Sequence, residues 1–380
     1  MRVLMQSRSN FYTLRGGDTV QLLKTKKELE KLGVEVDISL ELEPDLSRYD
    51  IVHLSNLTRI QETYIQMKNA RRQNKPIALS TIYWPTEEFE KLGQVGWRKL
   101  FNKLIDINQE ERLKALYRFI TSKEERNSAT TGLIRNKYTD MQKEVLMAAD
   151  CCLPNSKTEV EKIEEVLGVK INKYIVVPNG IDKDIVEKCN KENTEYERYR
   201  DAVICVGRID TRKNQLNLVK ALDGSGKKLI LVGAVSKNHR KYFGQISPYL
   251  KSNEQFEYIP YIENENLYQL YRVCKVNALP SWFDTPGLVS LEAAAMGCNL
   301  AISSKGTTRD YFGDYAYYCE PDDVDSIRKA VLQAWHASRT PQLREKVLKC
   351  YTWEQAASQT LKCYREIMEA QSEVTVKDKQ

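Results

Sequence analysis

Short apolar runs alternate with stretches in which apolar side chains recur every three or four positions, from residue 2 to 82 and again from 139 to 337. The short runs predict strands at 2–6, 34–40, 51–54, 76–82, 151–154 and 174–177. A second series follows at 202–206, 228–232, 256–260, 276–279 and 299–303. The helical spacing predicts helices at 19–32, 61–73, 139–149 and 157–167, then at 215–222, 237–250, 265–273, 286–296 and 324–337. Strands alternating with helices imply parallel sheets covered on both faces. Two separate series therefore predict an α/β fold of two doubly wound, Rossmann-like domains facing across a cleft. Ligands are expected beyond the carboxyl ends of the strands.

The boundary is read at Pro178-Asn179-Gly180-Ile181-Asp182, where Pro ends a strand and Asn-Gly marks a turn. This gives a first domain over 1–178 and a second over 179–351. Residues 352–370 form a helix expected to pack back on the first domain, and 371–380 a tail. Residues 85–137 do not follow the alternation. They read as a helical insertion with Trp97, Leu100, Phe101, Leu104 and Ile105 at helical spacing, interleaved with Arg98, Lys99, Lys103, Arg112, Lys114 and Arg118.

Composition changes this picture in three ways. Apolar content of 42% with 29% charged residues is a normal globular balance, and no apolar run approaches the roughly 18 residues of a membrane span. The nine Cys residues include no CxxC pair and no Cys/His cluster, which reads as reduced thiols and a cytoplasmic setting. The net charge of +6 is concentrated: between Lys91 and Lys143 there are twelve Lys or Arg against six Asp or Glu. A basic amphipathic segment either forms a helical cap with a solvated face or rests on an anionic membrane, peripheral to its inner face. Nucleic acid is not expected as a partner, since no recognised module accompanies the charge.

The richest stretch for chemistry is Ser281-Trp282-Phe283-Asp284-Thr285-Pro286-Gly287-Leu288 through Glu292 and Gly297. It sets one carboxylate before a helix start and another two turns in. Unpaired amides and partial positive charge at a helix start suit a phosphate, and flanking carboxylates suit sugar hydroxyls. The alternative is that Asp284 or Thr285 caps the helix. Gly207-Arg208 through Lys213 follows the first strand of the second domain. There an Arg fork and a Lys point charge can converge on one dianion, or form a solvated basic loop. Arg15-Gly16-Gly17-Asp18 opens the first helix and reads equally as a close backbone approach to ligand or a plain turn. Lys305 to Asp310 either lines the same pocket or turns the chain. His53 ends a strand and reads as structural ahead of functional. Asp182-Lys183-Asp184 and Asp323-Val324-Asp325 read as capping or solvated acids, not metal ligands.

Val177-Pro178-Asn179-Gly180-Ile181-Asp182, Gly207-Arg208 through Lys213, and Asp284…Gly287-Leu288…Leu291-Glu292-Ala293 together resemble the retaining family-4 glycosyltransferases of GT-B fold, the group 1 glycosyl transferases. The resemblance implies transfer of a sugar from a nucleotide diphosphate donor, UDP-sugar ahead of GDP-sugar, to a hydroxyl of a saccharide or lipid-linked saccharide. It places the reaction in bacterial surface polysaccharide synthesis, without metal or resident cofactor. It assigns Arg208 and Lys213 to the donor diphosphate, Asp284 to the donor sugar and Glu292 to the ribose. Gly287 and Leu288 would meet the phosphates through their backbone, Tyr261 the base, and Gly16 and Gly17 the phosphate and acceptor. Two positions depart from the family pattern: Asp284 replaces the usual Glu, and Tyr83 stands about where a His is common. A non-catalytic nucleotide-sugar or glycan-binding partner of another transferase, or an epimerase or hydrolase on the same fold, are the rival readings.

Overall fold

The computed structural model describes residues 1–14, 16–86, 89, 106–122, 125–189, 194–285, 287–339 and 341–377. The apolar and basic positions at 97–105, together with Arg15 and Pro286, lie outside the described residues. The chain divides into two units. The first comprises Met1–Pro85, Phe101–Asn179 and Trp353–Gln380; the second Thr86–Leu100 and Gly180–Thr352.

The first unit opens with β1 (Arg2–Gln6), α1 (Gly17–Lys31), β2 (Glu35–Ser39), β3 (Ile51–Ser55), α2 (Ile60–Arg72) and β4 (Ile77–Ser80). It continues with α3 (Ile107–Thr121), α4 (Ser128–Arg135), α5 (Tyr138–Ala148), β5 (Cys151–Cys152) and α6 (Lys157–Leu167). The strands form one parallel sheet in the order β2-β1-β3-β4-β5. All of β3 and β4 is buried, as expected of central strands covered on both faces.

The second unit contains α7 (Lys183–Lys188), a 3-10 turn (Thr194–Tyr199), β6 (Val203–Val206), α8 (Gln215–Leu222), β7 (Leu229–Val232), α9 (Arg240–Ser252) and β8 (Phe256–Ile259). Then come α10 (Asn264–Val273), β9 (Val276–Leu279), α11 (Leu288–Ala295), β10 (Asn299–Ser303), α12 (Thr308–Phe312), β11 (Ala316–Cys319), α13 (Val324–His336) and α14 (Pro341–Cys350). Its six parallel strands run β11-β10-β9-β6-β7-β8. The chain then returns to the first unit as α15 (Trp353–Lys377), which packs on α1 and buries Cys363, Tyr364 and Ile367.

Each unit is a parallel sheet covered by helices, the doubly wound arrangement expected from the alternation. Four details differ from the sequence reading. The 174–177 run is not a regular strand: it lies along β5, with Ile175 N–H on the Cys152 carbonyl and Val177 N–H on that of Pro154, and only Tyr174 forms a bridge. The strand β11 was not anticipated. The predicted tail is helical as far as Lys377. Phe89, in the segment read with the first domain, packs its ring against Trp282 and Phe283 of the second unit. Asp323 does cap a helix, accepting from the amides of Asp325 and Ser326 at the start of α13, while Asp184 is exposed.

Candidate active site

The strands β6 and β9 are hydrogen-bonded neighbours, so the loops leaving their carboxyl ends are brought together. One loop is Gly207–Asn214 and the other Pro280–Gly287. They are tied by Trp282 N–H donating to the Arg212 carbonyl (2.8 Å) and by Asn214 Nδ2 donating to the Pro280 carbonyl (3.0 Å). Where they meet, Lys213 Nζ lies 2.9 and 3.0 Å from the two oxygens of Asp284. Lys213 is 9% exposed and Asp284 7%. Arg212 adds a second cation, with Nη1 3.4 Å from Asp284 Oδ1 and 3.1 Å from the Phe283 carbonyl. Burial pushes the Asp284 carboxyl up, but the Lys213 and Arg212 charges and the Lys213 hydrogen bond outweigh it and hold the group below the ordinary Asp value. The site is therefore a buried, ionised carboxylate clamped by cations.

The loop Lys305–Asp310 braces this carboxylate from behind. Thr307 N–H donates to the Asp284 carbonyl at 3.0 Å, and Gly306 bridges Asp284 with φ +92°. The loop thus acts as a strut under Asp284. Arg208 has a different environment from Lys213. Its side chain is 58% exposed and its nearest carboxylate, on Asp210, is 4.0 Å away. The two cations read from the sequence as one pair thus divide into a buried anchor and an open guanidinium on the same loop. Arg212 was not singled out; a cation in an irregular loop leaves no periodic signal.

Gly287 is the N-cap of α11, with φ +81°, a conformation glycine adopts without the steric cost of a Cβ. No side chain caps this helix, so neither Asp284 nor Thr285 does so. The first-turn amides, beginning at Leu288, follow directly on the Asp284 loop, and Gly297 (φ +90°) ends the helix. Glu292 lies one turn into α11, half-buried, close enough to raise the Tyr268 and Tyr271 hydroxyl pKa values together with their burial. Tyr261 follows β8 and is 78% exposed. It lines an open depression of about 480 Å³ with Tyr196, Arg198, Tyr199 and Glu257.

In the first unit, Gly16 is the N-cap of α1 and Gly17 its first residue. The loop before them is built on Arg8, 6% exposed, whose guanidinium binds both Asp18 oxygens (2.7 and 3.1 Å) and the Leu14 carbonyl (2.7 Å). His53 is buried between Tyr364 Oη (2.6 Å from Nδ1) and Ser80 Oγ (2.8 Å from Nε2). Burial pushes its pKa down to about 4. Its role is to join α15 to the sheet. The first unit is expected to lose stability as pH falls from 6.5 toward 4, because the unfolded chain takes up a proton that the folded imidazole refuses. His53→Gln should remove that part of the pH dependence in denaturant unfolding.

Tyr83 is buried in the loop after β4, where Glu159 was missed by the sequence reading. Glu159 is fully buried and accepts from Thr81 Oγ1 (2.5 Å), Tyr83 N–H (2.8 Å) and Asn155 N–H (2.8 Å). Burial pushes its carboxyl up to about 7. The residue between the two clamped positions is Ile82, with φ +42°, a costly conformation for a β-branched residue.

Residues 186–348 match the family model for glycosyl transferases group 1. An uncharacterized glycosyltransferase of Methanocaldococcus jannaschii is 23% identical over 93% of this chain and 95% of its own length. A D-inositol 3-phosphate glycosyltransferase of Streptosporangium roseum is 21% identical over 79% of this chain and 75% of its own. Among solved structures, sucrose-phosphate synthase from Thermosynechococcus elongatus superimposes with a TM-score of 0.71 at 16% identity, covering 97% of this chain and 99% of that one. An Anabaena protein solved with UDP and glucose gives 0.60 at 14% identity, covering 98% of this chain and all of that one.

Proposed function

We propose, for a glycosyltransferase of GT-B fold whose residues 186–348 form a group 1 glycosyl transferase domain, a retaining transfer from a nucleotide-diphosphate sugar to a hydroxyl of a saccharide or lipid-linked saccharide. UDP-sugar is the favoured donor and GDP-sugar the next. The observation that carries this reading is the Lys213–Asp284 pair at the foot of a helix whose N-terminal amides have no side-chain cap. A Lys ammonium has three N–H donors, and the carboxylate occupies two of them. The third, the open Arg208 guanidinium and the α11 amides together supply fixed positive charge for a diphosphate. That is the work a divalent metal does in other transferases, and we propose that this enzyme needs none.

In the proposed step the bond from the anomeric carbon to the diphosphate oxygen breaks, and the acceptor oxygen bonds to that carbon on the same face. The acceptor proton passes to the departing phosphate oxygen. Arg208 and Lys213 stabilise the charge that collects there, Asp284 receives sugar hydroxyls and fixes Lys213, and Glu292 holds the ribose. Gly287 and Leu288 meet the phosphates, Tyr261 the base, and Gly16 and Gly17 the acceptor side. UDP is supported by the Anabaena neighbour's UDP and glucose. A polar acceptor is supported by the inositol phosphate of the Streptosporangium relative's name. Bacterial surface polysaccharide synthesis is the proposed setting.

The test is a thermal-shift panel of UDP-, GDP-, ADP- and dTDP-sugars without metal, followed by transfer assays with the stabilising donor. Arg208→Ala is expected to leave the melting temperature unchanged and to lower kcat about a hundredfold or more. Full turnover by that variant removes Arg208 from the mechanism. Release of free sugar or an altered sugar nucleotide without acceptor points to a hydrolase or epimerase. Donor binding without turnover across acceptors points to a non-catalytic partner.

A further inference from the structure

The helix α3 presents its apolar side outward. Leu113, Leu116, Tyr117 and Ile120, at positions i, i+3, i+4 and i+7, are 47, 43, 69 and 62% exposed. This spacing places all four on one stripe. The opposite side is the one that docks: Ala115 is fully buried, and Asn108 Oδ1 accepts from the amide and hydroxyl of Thr139 at the start of α5. Among the described residues, α3 thus turns this apolar stripe away from the side that docks. Arg112 flanks the stripe on one edge and Lys114 on the other, while Arg126 closes its carboxyl end by donating to the Phe119 and Ile120 carbonyls. The helix's acids are answered within the fold, Glu110 by Lys114 and Glu111 by Lys114 and, at 3.9 Å, Arg118.

We infer that α3 is a membrane-docking element that lays Leu113, Leu116, Tyr117 and Ile120 into the headgroup boundary of an anionic bilayer. The charge of the surrounding sequence selects this occupant, with twelve Lys or Arg against six Asp or Glu between Lys91 and Lys143. Anionic lipid complements that excess, whereas a second copy of the chain would bring like charges together. Tyr at the edge of such a stripe suits the interface, where its ring is apolar and its hydroxyl wet. Among the described residues no helix is long and apolar enough to cross a membrane, so α3 lies on the surface and does not span it. This inference does not depend on the donor chemistry proposed above.

The test is co-sedimentation of the full chain with phosphatidylcholine vesicles, with and without phosphatidylglycerol, at low and high salt. Pelleting with the anionic vesicles at low salt, weakened by salt, is expected. Ile120→Asp should reduce that binding about tenfold or more, since it removes an apolar group that the bilayer would cover and adds a repelled charge. Arg112→Glu should reduce it less. Both sites are exposed, so the melting temperature should stay unchanged. Failure of the wild type to pellet at low salt overturns the proposal, as does pelleting that both variants leave intact. A concentration-dependent dimer in sedimentation velocity that Ile120→Asp dissolves would also overturn it, making the stripe a protein interface.

Discussion

Lys213→Met is expected to destabilise the second unit by about 3–5 kcal/mol, because it strips the closest cation from a carboxylate that stays buried. Asp284 is 7% exposed, and Arg212 alone, at 3.4 Å from one oxygen, is a poor substitute for two contacts at 2.9 and 3.0 Å. The variant's Asp284 should shift upward and take a proton, so the loss should shrink as pH is lowered toward the carboxylate range. Denaturant unfolding at two pH values reads this directly. Lys213→Met combined with Asp284→Leu removes both charges together, and much of the stability should return, as it does when buried ion pairs become apolar. Transfer should not return, since both groups face the donor in the proposed step. If the double variant were as unstable as the single one, the pair would not be the source of the loss.

Gly306→Ala is expected to cost about 3 kcal/mol or more, combining strain with overpacking. A Cβ at this position would stand 2.1 Å from the Asp284 carbonyl oxygen and 2.7 Å from its amide nitrogen. Both are backbone atoms of the residue that holds Lys213, so relief of the clash must move the carboxylate. Gly224 supplies the control. It has a similar positive φ, +67°, but an added Cβ meets nothing within 4 Å. Gly224→Ala should therefore show only the left-handed penalty, about 1–2 kcal/mol, with transfer unchanged. Gly306→Ala should lower both melting temperature and kcat. Equal effects from the two variants would mean that the strut under Asp284 is slack.

The fold was largely legible because both sheets are parallel. Their strands are buried runs such as Val203–Val206 and Leu229–Val232, separated by amphipathic helices, and such a pattern has few competing interpretations. The edges were harder. Ala316–Cys319 is a four-residue edge strand with three half-buried positions, so neither an apolar run nor a clean alternation marks it. The run at 174–177 has strong strand propensity, yet it lies beside a β5 of only two residues.

The site was legible as a set of residues and not as a set of contacts. Lys213 and Asp284 were each visible, but 71 positions separate them and only the β6–β9 pairing brings them together. Glu159 shows the converse. Its clue was present, since Glu159, Val160, Ile163 and Leu167 share one helix face and Ser156 stands three residues before it as N-cap. An acid in an amphipathic helix that also carries Glu161, Glu164 and Glu165 is ordinarily solvated, and the sequence carries no sign that this one faces Thr81 and Tyr83.

The return of the chain to its first unit through α15 has a consequence for how the protein is made. Residues 1–179 emerge from the ribosome without Tyr364, Cys363 and Ile367, which complete their core and supply the partner of His53. Roughly 170 residues of the second unit must be synthesised before α15 appears, a delay on the order of ten to thirty seconds at ordinary elongation rates. The usual vectorial order is thereby inverted: the domain translated second is the first that can finish, and the nascent amino-terminal half waits with an unsealed flank. That interval is when this chain is most open to chaperones and proteases, and a stop codon before residue 353 would make the wait permanent.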